Sequence, residues 1–396
     1  MFGVPRMRGL PQHYLSHPTT TAAGSRHSHS RSIHFDIGCA RELALTRRRT
    51  VAGASGQGRA IGMRAVSLVD AYRHQHLAQS SWGTFGNGVA SYSRFMVYHH
   101  PNEPLLPATD ANIAGWFAAS ALTCCHATLR NYFHGLQAFH RKHNVPCTPL
   151  SALVQAKETL KGIKRVRGDM PRRVQALSPQ DLRKVSNVVV ARSGVTNRSV
   201  RDKFNDRTVA AAMKVGFFAM LRKSNLTGPK ALSRSDVTVT TRSDGAKVMW
   251  VTMRYSKVIQ SGERVHRLPL TETGDELCPV SAFLAHVSEC PAPGESNAFL
   301  WATGNGAAPS FVPLTHESMT RHMRGMLAEA GLFPNLYTGH SLRRGGATLA
   351  FELGASVQDI KRHGDWSSDV VYTYHQVSDD TLCALPTRMA AAAARR

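Results

Sequence analysis

The sequence predicts a mainly α protein with a small antiparallel β-sheet, an α+β class, and three observations support this. From about residue 65 to about 165, apolar and aromatic residues recur at steps of three and four, the spacing of amphipathic helices. Three short runs rich in β-branched residues follow at Val237–Thr241, Val248–Arg254 and Val265–Leu270, with turn residues between them. The rest of the chain, to about residue 385, again has helical periodicity. We therefore expect two largely helical domains, the second of which contains the sheet.

The charge of the chain points to a polyanionic partner. Lys and Arg total 49 against 26 Asp and Glu, a formal net charge of +23 over 396 residues. Nucleic acid is the first candidate for such a partner and an anionic membrane surface is the second. No apolar run reaches the roughly 18 residues of a spanning helix, and the N-terminus lacks the apolar core of a secretory signal. We therefore expect a nucleic acid as the partner, and no membrane.

The spacing of cysteine and histidine argues against a metal site. The seven cysteines include no C-x-x-C pair and are odd in number, which is atypical of a disulfide framework or of structural zinc. The 20 histidines are scattered, and none forms an H-E-x-x-H pair. We predict reduced thiols, no metal and no cofactor.

Composition divides the chain into four segments. Residues 1–60 are rich in Ser, His, Arg and Gly and are typical of a flexible basic tail. A phosphate-scanning tail, an organellar presequence and an extension without function all fit this segment. We predict a helical domain at residues 65–166, a second domain at 177–385 and a C-terminal tail at 386–396.

A basic connector joins the two predicted domains. It is either a solvated linker or a strap that follows DNA phosphates. The second domain opens with Ser178, Pro179 and Asp181, a typical helix N-terminus. Residues 207–221 are apolar almost all round, so we expect a buried helix that ends in Arg222. The candidate DNA-binding cations of the connector are Lys161, Lys164, Arg165, Arg167, Arg172 and Arg173.

Two cations of the second domain stand at notable positions. Arg222 closes the predicted buried helix, where an unpaired guanidinium is costly and needs a compensating partner. A carboxylate is one such partner, and a phosphate, which arginine binds bidentately, is the other. Lys257 stands at the end of the second predicted strand, where a lysine is usually only solvated. Neither residue indicates a function by itself.

A further pair of basic residues lies in the segment GHSLRRGGAT. His340 and Arg343 are three residues apart, so on a helix their side chains share a face and point at one ligand. Near a helix N-terminus, the positive end of the helix dipole would also favour an anion. Gly345 and Gly346 each weaken a helix by about 1 kcal/mol relative to alanine, and they fit a helix that another backbone approaches closely. The alternative is an ordinary helix with a hydrogen-bonded histidine.

The last candidates lie in the segment KRHGDWSSDVVYTYH. Gly364 is typical of a helix stop, and we expect a new helix after Trp366 to carry Tyr372 and Tyr374. A tyrosine near a helix end is normally half-buried core, but it can also be a nucleophile. Residues 354–374 also fit a helix-turn-helix regulator.

Taken in chain order, these residues resemble the signature of the tyrosine recombinases, the superfamily of the phage integrases. The resemblance covers roughly residues 65–380 and implies a helical core-binding domain followed by the recombinase catalytic domain. Short sequence segments, including GHSLRRGGAT and GDWSSD, are most similar to those of recombinases from eukaryotic mobile elements. The residues that carry the resemblance are Arg222, Lys257, His340, Arg343, Trp366 and Tyr374.

The resemblance implies a role for each cation of this set. Arg222 and Arg343 would clamp the scissile phosphate and offset charge in its pentacoordinate transition state. Lys257 would protonate the leaving 5′-oxygen, and His340 would assist proton transfer.

The resemblance also assigns the aromatic residues. Trp366 stands where the family has either His or Trp, and would buttress the phosphate or donate a hydrogen bond to it. Tyr374 would attack phosphorus and form a 3′-phosphotyrosyl link; its interval from Trp366 favours it over Tyr372. Asn225 departs from the pattern, because many members have an acid at this position, where we expect a supporting role.

The same resemblance implies a partner and an assembly. The substrate would be double-stranded DNA, bound by a tetramer, in a reaction that needs neither metal, ATP nor cofactor. We expect the nucleus in a eukaryotic host, and otherwise the cytoplasm with the chromosome. The alternatives are a catalytically inactive DNA-binding relic or regulator with the same fold, and a type IB topoisomerase.

Overall fold

The computed structural model describes four stretches of the chain: residues 79–168, 174–260, 262–304 and 310–393. The tail predicted at residues 1–60, together with Arg172 and Arg173 of the connector, lies outside these stretches. Within them, no helix combines the length and the apolar character needed to cross a membrane.

Four helices form the first part of the described chain and share one core. Trp116 and Phe117 of the predicted aromatic stripes are fully buried in it, and Tyr92 lies edge-on to Trp116 at 5.3 Å between ring centroids. A Cβ added at Gly135 would lie 2.7 Å from the Cα of Phe85, so two of the helices touch backbone to backbone. The helices are α1 (Gln79–His99), α2 (Asp110–Ser120), α3 (His126–Lys142) and α4 (Val154–Arg167).

Three helices open the second part: α5 (Pro179–Gly194), α6 (Val200–Phe218) and α7 (Lys223–Leu226). The Ser178 side chain accepts a hydrogen bond of 3.0 Å from the backbone N–H of Asp181, which confirms the predicted helix start. α6 is buried along most of its length, as expected, but it ends at Phe218. The prediction that Arg222 closes this helix is wrong, because Met220 adopts a left-handed conformation, with φ of 48°, and turns the chain before Arg222.

The predicted antiparallel sheet is confirmed, with strand ends shifted by about a residue. Its strands are β1 (Val237–Thr241), β2 (Lys247–Met253) and β3 (His266–Thr271). They lie in the order β1-β2-β3, and Met249 of the central strand pairs with Val239 on one side and Leu270 on the other.

A second hairpin, formed by β4 (Leu300–Thr303) and β5 (Ser310–Pro313), is missing from the sequence-based prediction. Strands of four residues are too short to display a recognisable alternation of apolar and polar residues.

Five further helices follow in the described stretches, and the last of them is exposed along its length. The main core lies between α5, α6, the sheet and three of these helices, α8, α9 and α10. The helices are α8 (Pro279–Glu289), α9 (His316–Glu329), α10 (Gly339–Glu352), α11 (Val357–Gly364) and α12 (Asp379–Ala393). Three short 3-10 helices span Arg234–Asp236, Pro334–Leu336 and Asp369–Tyr374.

Two glycines let α10 approach its neighbours closely. A Cβ added at Gly345 would lie 2.0 Å from the carbonyl oxygen of Leu177, and one at Gly346 would lie 2.2 Å from that of Phe217. Real Cβ atoms do not come so near to backbone oxygen, so only glycine fits. The predicted close approach is confirmed, and it holds the N-terminal half of α10 against the end of α6.

We expect Gly346→Ala to destabilise the protein by about 1–3 kcal/mol, the usual cost of overpacking, or more because the obstacle is backbone. Gly162→Ala is the matched control, since Gly162 also lies within a helix but nothing stands within 4 Å of its added Cβ. That variant should gain about 0.5–1 kcal/mol. Urea unfolding followed by circular dichroism measures both. If Gly346→Ala unfolds at the same urea concentration as the wild type, the close packing of α10 at Gly346 is contradicted.

His286 makes the stability of the second part of the chain depend on pH. The residue is only 4% exposed; its Nδ1 lies 3.2 Å from Thr208 Oγ1, and its Nε2 accepts a hydrogen bond from Leu300 N. Burial, followed by repulsion from Arg234, lowers the pKa of His286 to about 4.

Since the folded state holds this imidazole neutral, its contribution to stability is complete above the unfolded pKa of about 6.5. It is lost as the pH falls from there towards 4. At one pKa unit per 1.36 kcal/mol, the loss approaches about 3 kcal/mol. We expect His286→Gln to flatten this part of the curve when the free energy of unfolding is measured between pH 7 and 4. An unchanged slope would contradict the assignment.

Candidate active site

Arg222 is placed by a turn that Asn225 holds together. Asn225 is buried, and its Oδ1 accepts a hydrogen bond of 3.1 Å from the backbone N–H of Arg222. Its Nδ2 donates to the carbonyl oxygen of Tyr255 at 2.9 Å. An ionised carboxylate could accept the first bond but could not donate the second. The amide therefore fits this position, and it ties the turn of Arg222 to the hairpin that carries Lys257.

Lys257 lies in the connection between β2 and β3, beyond the end of β2 at Met253. A short bridge closes this connection, in which Ser256 and Ile259 exchange backbone hydrogen bonds of 3.0 and 3.3 Å. The side chain of Ser256 accepts a further bond, of 3.1 Å, from Val258 N. Lys257 itself is exposed within this hydrogen-bonded turn, where its side chain is accessible to a ligand.

The N-terminus of α10 presents His340 and Arg343, as predicted. Thr338 begins the helix: its side chain accepts a hydrogen bond of 3.1 Å from His340 N. Arg343 is 1% exposed, and its Nη1 donates to the carbonyl oxygen of Met220. Its Nε and Nη2 make no hydrogen bond of acceptable geometry with any residue that the structure describes. A buried guanidinium therefore keeps two donor nitrogens available.

The electrostatics of this helix end favour an anion. Burial, and then repulsion from Arg222, lowers the pKa of Arg343 to about 9. His340 is exposed as a residue, and partial burial of its ring lowers the pKa of His340. Repulsion from Arg343, Arg222, Arg344 and Lys257 acts in the same direction. All these cations thus lie within electrostatic reach of one imidazole, and an incoming negative charge would relieve their repulsion.

Trp366 covers the buried arginine. The guanidinium carbon of Arg343 lies 3.7 Å from the centroid of the Trp366 ring, and the buried indole N–H has no hydrogen-bond partner among the described residues. α11 ends just before, at Gly364, where a Cβ would lie 1.9 Å from the indole. The helix therefore stops at Gly364, as predicted, and the following residue, Asp365, adopts the left-handed conformation, with φ of 58°.

Tyr374 joins this cluster, whereas Tyr372 does not. The ring centroid of Tyr374 lies 4.9 Å from that of Trp366, 5.0 Å from that of His340 and 5.4 Å from the Arg343 guanidinium carbon. Tyr372 is 55% exposed and stacks on Phe351, with 6.0 Å between centroids.

The segment that carries Tyr372 and Tyr374 is helical, as predicted, but the helix is short. Its residues form a 3-10 helix, Asp369–Tyr374, and not an α-helix. The hydroxyl of Thr348 donates to the carbonyl oxygen of Tyr374 at 3.1 Å and holds the segment against α10.

The prediction of a connector is wrong for residues 161–167, because they form the C-terminal half of α4. Lys161, Lys164, Arg165 and Arg167 are exposed on α4, and the last three lie in its final turn. No group of three or more His, Cys, Asp or Glu residues in the described stretches could hold a metal ion.

Met220 is a site residue that the sequence did not reveal. Its carbonyl oxygen accepts the hydrogen bond that orients Arg343, and its left-handed backbone turns the chain towards Arg222. A methionine in that conformation follows no sequence rule, because glycine or asparagine normally signals it.

Comparison with solved structures places this architecture in a known class. No protein-family model and no curated protein matches the sequence. The structure is similar to the XerH site-specific recombinase bound to palindromic difH substrate, in a post-cleavage complex, with a TM-score of 0.52 and 13% identity over 77% of this chain and 78% of that one. The pre-cleavage complex of XerH with difH gives a TM-score of 0.50 and 15% identity over 76% and 77%.

A weaker likeness, with a TM-score of 0.48 and 15% identity over 85% of each chain, is to a lambda integrase dimer bound to a COC′ core site. The XerH comparisons show that the chain has the tyrosine recombinase fold. At such low identity the likeness establishes the fold alone.

Proposed function

We propose that this protein is a site-specific DNA recombinase or integrase that cuts and rejoins DNA through a 3′-phosphotyrosyl intermediate. The observation that carries the proposal is the pocket around Arg343. Two guanidinium nitrogens and one indole N–H are buried there without a hydrogen bond of acceptable geometry to any described residue. The ring of Tyr374 lies 5.4 Å from the guanidinium carbon, and its hydroxyl interacts with the guanidinium and favours the charged form of Arg343. Leaving such donors unsatisfied is costly, and a phosphate diester would satisfy them.

In the proposed cleavage step, the hydroxyl oxygen of Tyr374 attacks phosphorus and the bond from phosphorus to the 5′-oxygen breaks. Arg222 and Arg343 offset the charge that builds on the non-bridging oxygens. Lys257 supplies a proton to the leaving 5′-oxygen, while neutral His340 assists removal of the phenolic proton. One phosphodiester replaces another, so the reverse step rejoins the strands without an external energy source.

The proposed substrate is double-stranded DNA. The neighbouring XerH structures are complexes with DNA, and the exposed cations of α4 together with the net charge of +23 suit a polyanion. We further propose that four copies assemble on DNA, and that the protein acts in the nucleus of a eukaryotic host or otherwise at the chromosome in the cytoplasm.

The proposal is tested with nicked suicide duplexes, whose cleavage releases a short fragment and traps the covalent adduct. The target sequence is first obtained by selecting bound duplexes from random DNA. We expect a covalent protein–DNA adduct without metal or ATP. Sequence-specific binding with no adduct would instead support the inactive relic, and relaxation of supercoiled DNA without sequence preference would support the topoisomerase.

A further inference from the structure

Asp365 is a buried carboxylate, and its two hydrogen-bonding side-chain partners among the described residues both lie on the lysine hairpin, residues 254–260 and 262–266. It is 5% exposed and immediately precedes Trp366. Its Oδ2 accepts a hydrogen bond of 3.0 Å from the hydroxyl of Ser256, and its Oδ1 pairs with Nη2 of Arg264 at 2.5 Å. One carboxylate therefore bridges the chain on both sides of Lys257.

The hydroxyl of Ser256 shapes the turn as well as contacting Asp365. It accepts from the backbone N–H of Val258 at 3.1 Å while it donates to the carboxylate. Lys257 lies between these two residues. The backbone at Lys257 is thus set by a hydroxyl whose own orientation the carboxylate fixes.

The hairpin has two other attachments to the site. Asn225 holds it at Tyr255 from the side of Arg222, and Nε2 of His266 lies 3.1 Å from the carbonyl oxygen of His363. Only the Asp365 contact acts through Ser256, the residue next to Lys257. If Asp365 served only to form an ion pair, its contact with Arg264, whose side chain is 44% exposed, would be sufficient. The additional hydrogen bond to Ser256 connects the carboxylate to the turn of Lys257.

We propose that Asp365 is a positioning residue for Lys257, holding the lysine turn where its ammonium can protonate the leaving 5′-oxygen. This inference rests on the proposed recombinase function. In that step Tyr374 forms its bond to phosphorus, the bond from phosphorus to the 5′-oxygen breaks, and the proton of Lys257 goes to that oxygen. Loss of Asp365 would misplace the proton donor, and it would also remove a negative charge that favours the charged form of Arg343. Loss of the Ser256 hydroxyl keeps that charge and breaks only the tie to the turn of Lys257.

The test compares two nicked substrates, one with the normal bridging 5′-oxygen and one with sulfur at that position. A thiolate is a much weaker base than an alkoxide and leaves without a proton, so the sulfur substrate bypasses the acid. Lys257→Ala, Asp365→Asn and Ser256→Ala are measured on both, with Arg343→Lys as the variant that damages the phosphate clamp.

We expect Lys257→Ala to slow cleavage of the oxygen substrate by about 10²- to 10⁴-fold, the usual contribution of a general acid. Asp365→Asn and Ser256→Ala should show smaller losses of the same kind. On the sulfur substrate, the cleavage rates of all three variants should return to within several-fold of the wild-type rate, whereas Arg343→Lys should still cleave slowly. Ser256→Ala keeps the buried carboxylate paired with Arg264, so it tests the inference even if Asp365→Asn folds poorly.

If wild type cleaves but Asp365→Asn and Ser256→Ala are equally slow on both substrates, the positioning role is wrong and the proposed function stands. If wild type cleaves neither substrate at its selected site, the proposed function fails and this inference fails with it.

Discussion

Replacing Arg343 with lysine is expected to lower the rate of covalent adduct formation by about 10²- to 10³-fold, the usual effect of removing one preorganised donor from a developing oxyanion. The guanidinium is buried, oriented by Met220 and covered by Trp366, so its free nitrogens have a fixed direction. Lysine retains a charge but not the planar fork that meets two phosphate oxygens at once. Single-turnover cleavage of the nicked duplex measures the loss.

Arg344→Lys is the matched control. Arg344 is the next residue on the same helix, 8% exposed, and its Nη1 donates to the carbonyl oxygen of Val174 instead of facing the ring of Trp366. We expect its cleavage rate to stay within several-fold of wild type. Equal losses in the two variants, at equal stability and DNA affinity, would mean that the Arg343 pocket is not where the phosphate binds.

Replacing Tyr374 with phenylalanine is expected to abolish the adduct, while Tyr372→Phe retains it. The phenylalanine ring can keep its contacts with Trp366 and His340, so folding and DNA binding should be little affected. Only the attacking oxygen is lost. Tyr372 is exposed and stacks on Phe351, whereas the rings that lie against the guanidinium of Arg343 are those of Trp366 and Tyr374.

An adduct that survives in Tyr374→Phe and disappears in Tyr372→Phe would transfer the nucleophile to Tyr372 and require the 3-10 helix to rearrange on DNA. Binding by gel shift, measured on the same preparations, separates loss of chemistry from loss of substrate.

Structural features that depend only on residues close together in the chain were the most predictable. The cap at Ser178 and the glycine pair of α10 follow from rules about single residues and their neighbours, and the structure confirms both. The placement of His340 and Arg343 on the first turns of α10 was predictable for the same reason.

Features that depend on contacts between distant residues were not predictable. The turn at Met220 and the left-handed Asp365 are stabilised by partners far along the chain, such as Ser256, which is 109 positions from Asp365. No local pattern encodes such a pairing. The same holds for Asn225, whose supporting role could be expected but whose bond to Tyr255 could not.

The structure also weakens one alternative. A helix-turn-helix regulator at residues 354–374 needs a second α-helix for the major groove. α11 is instead followed by a 3-10 helix of 6 residues, and Val371 within it is fully buried. Val371 anchors this short 3-10 helix to the protein, and the segment offers no second α-helix for a major groove.

The most direct measurement is to digest the trapped adduct with protease and nuclease and identify the modified peptide by mass spectrometry. If the cations of the pocket and one phenol act on a single phosphodiester, the nucleotide remnant is attached to Tyr374 through a 3′-phosphate, and the released strand ends in a free 5′-hydroxyl. A remnant on any other residue, or a 5′-phosphate link to tyrosine, would contradict the proposed chemistry.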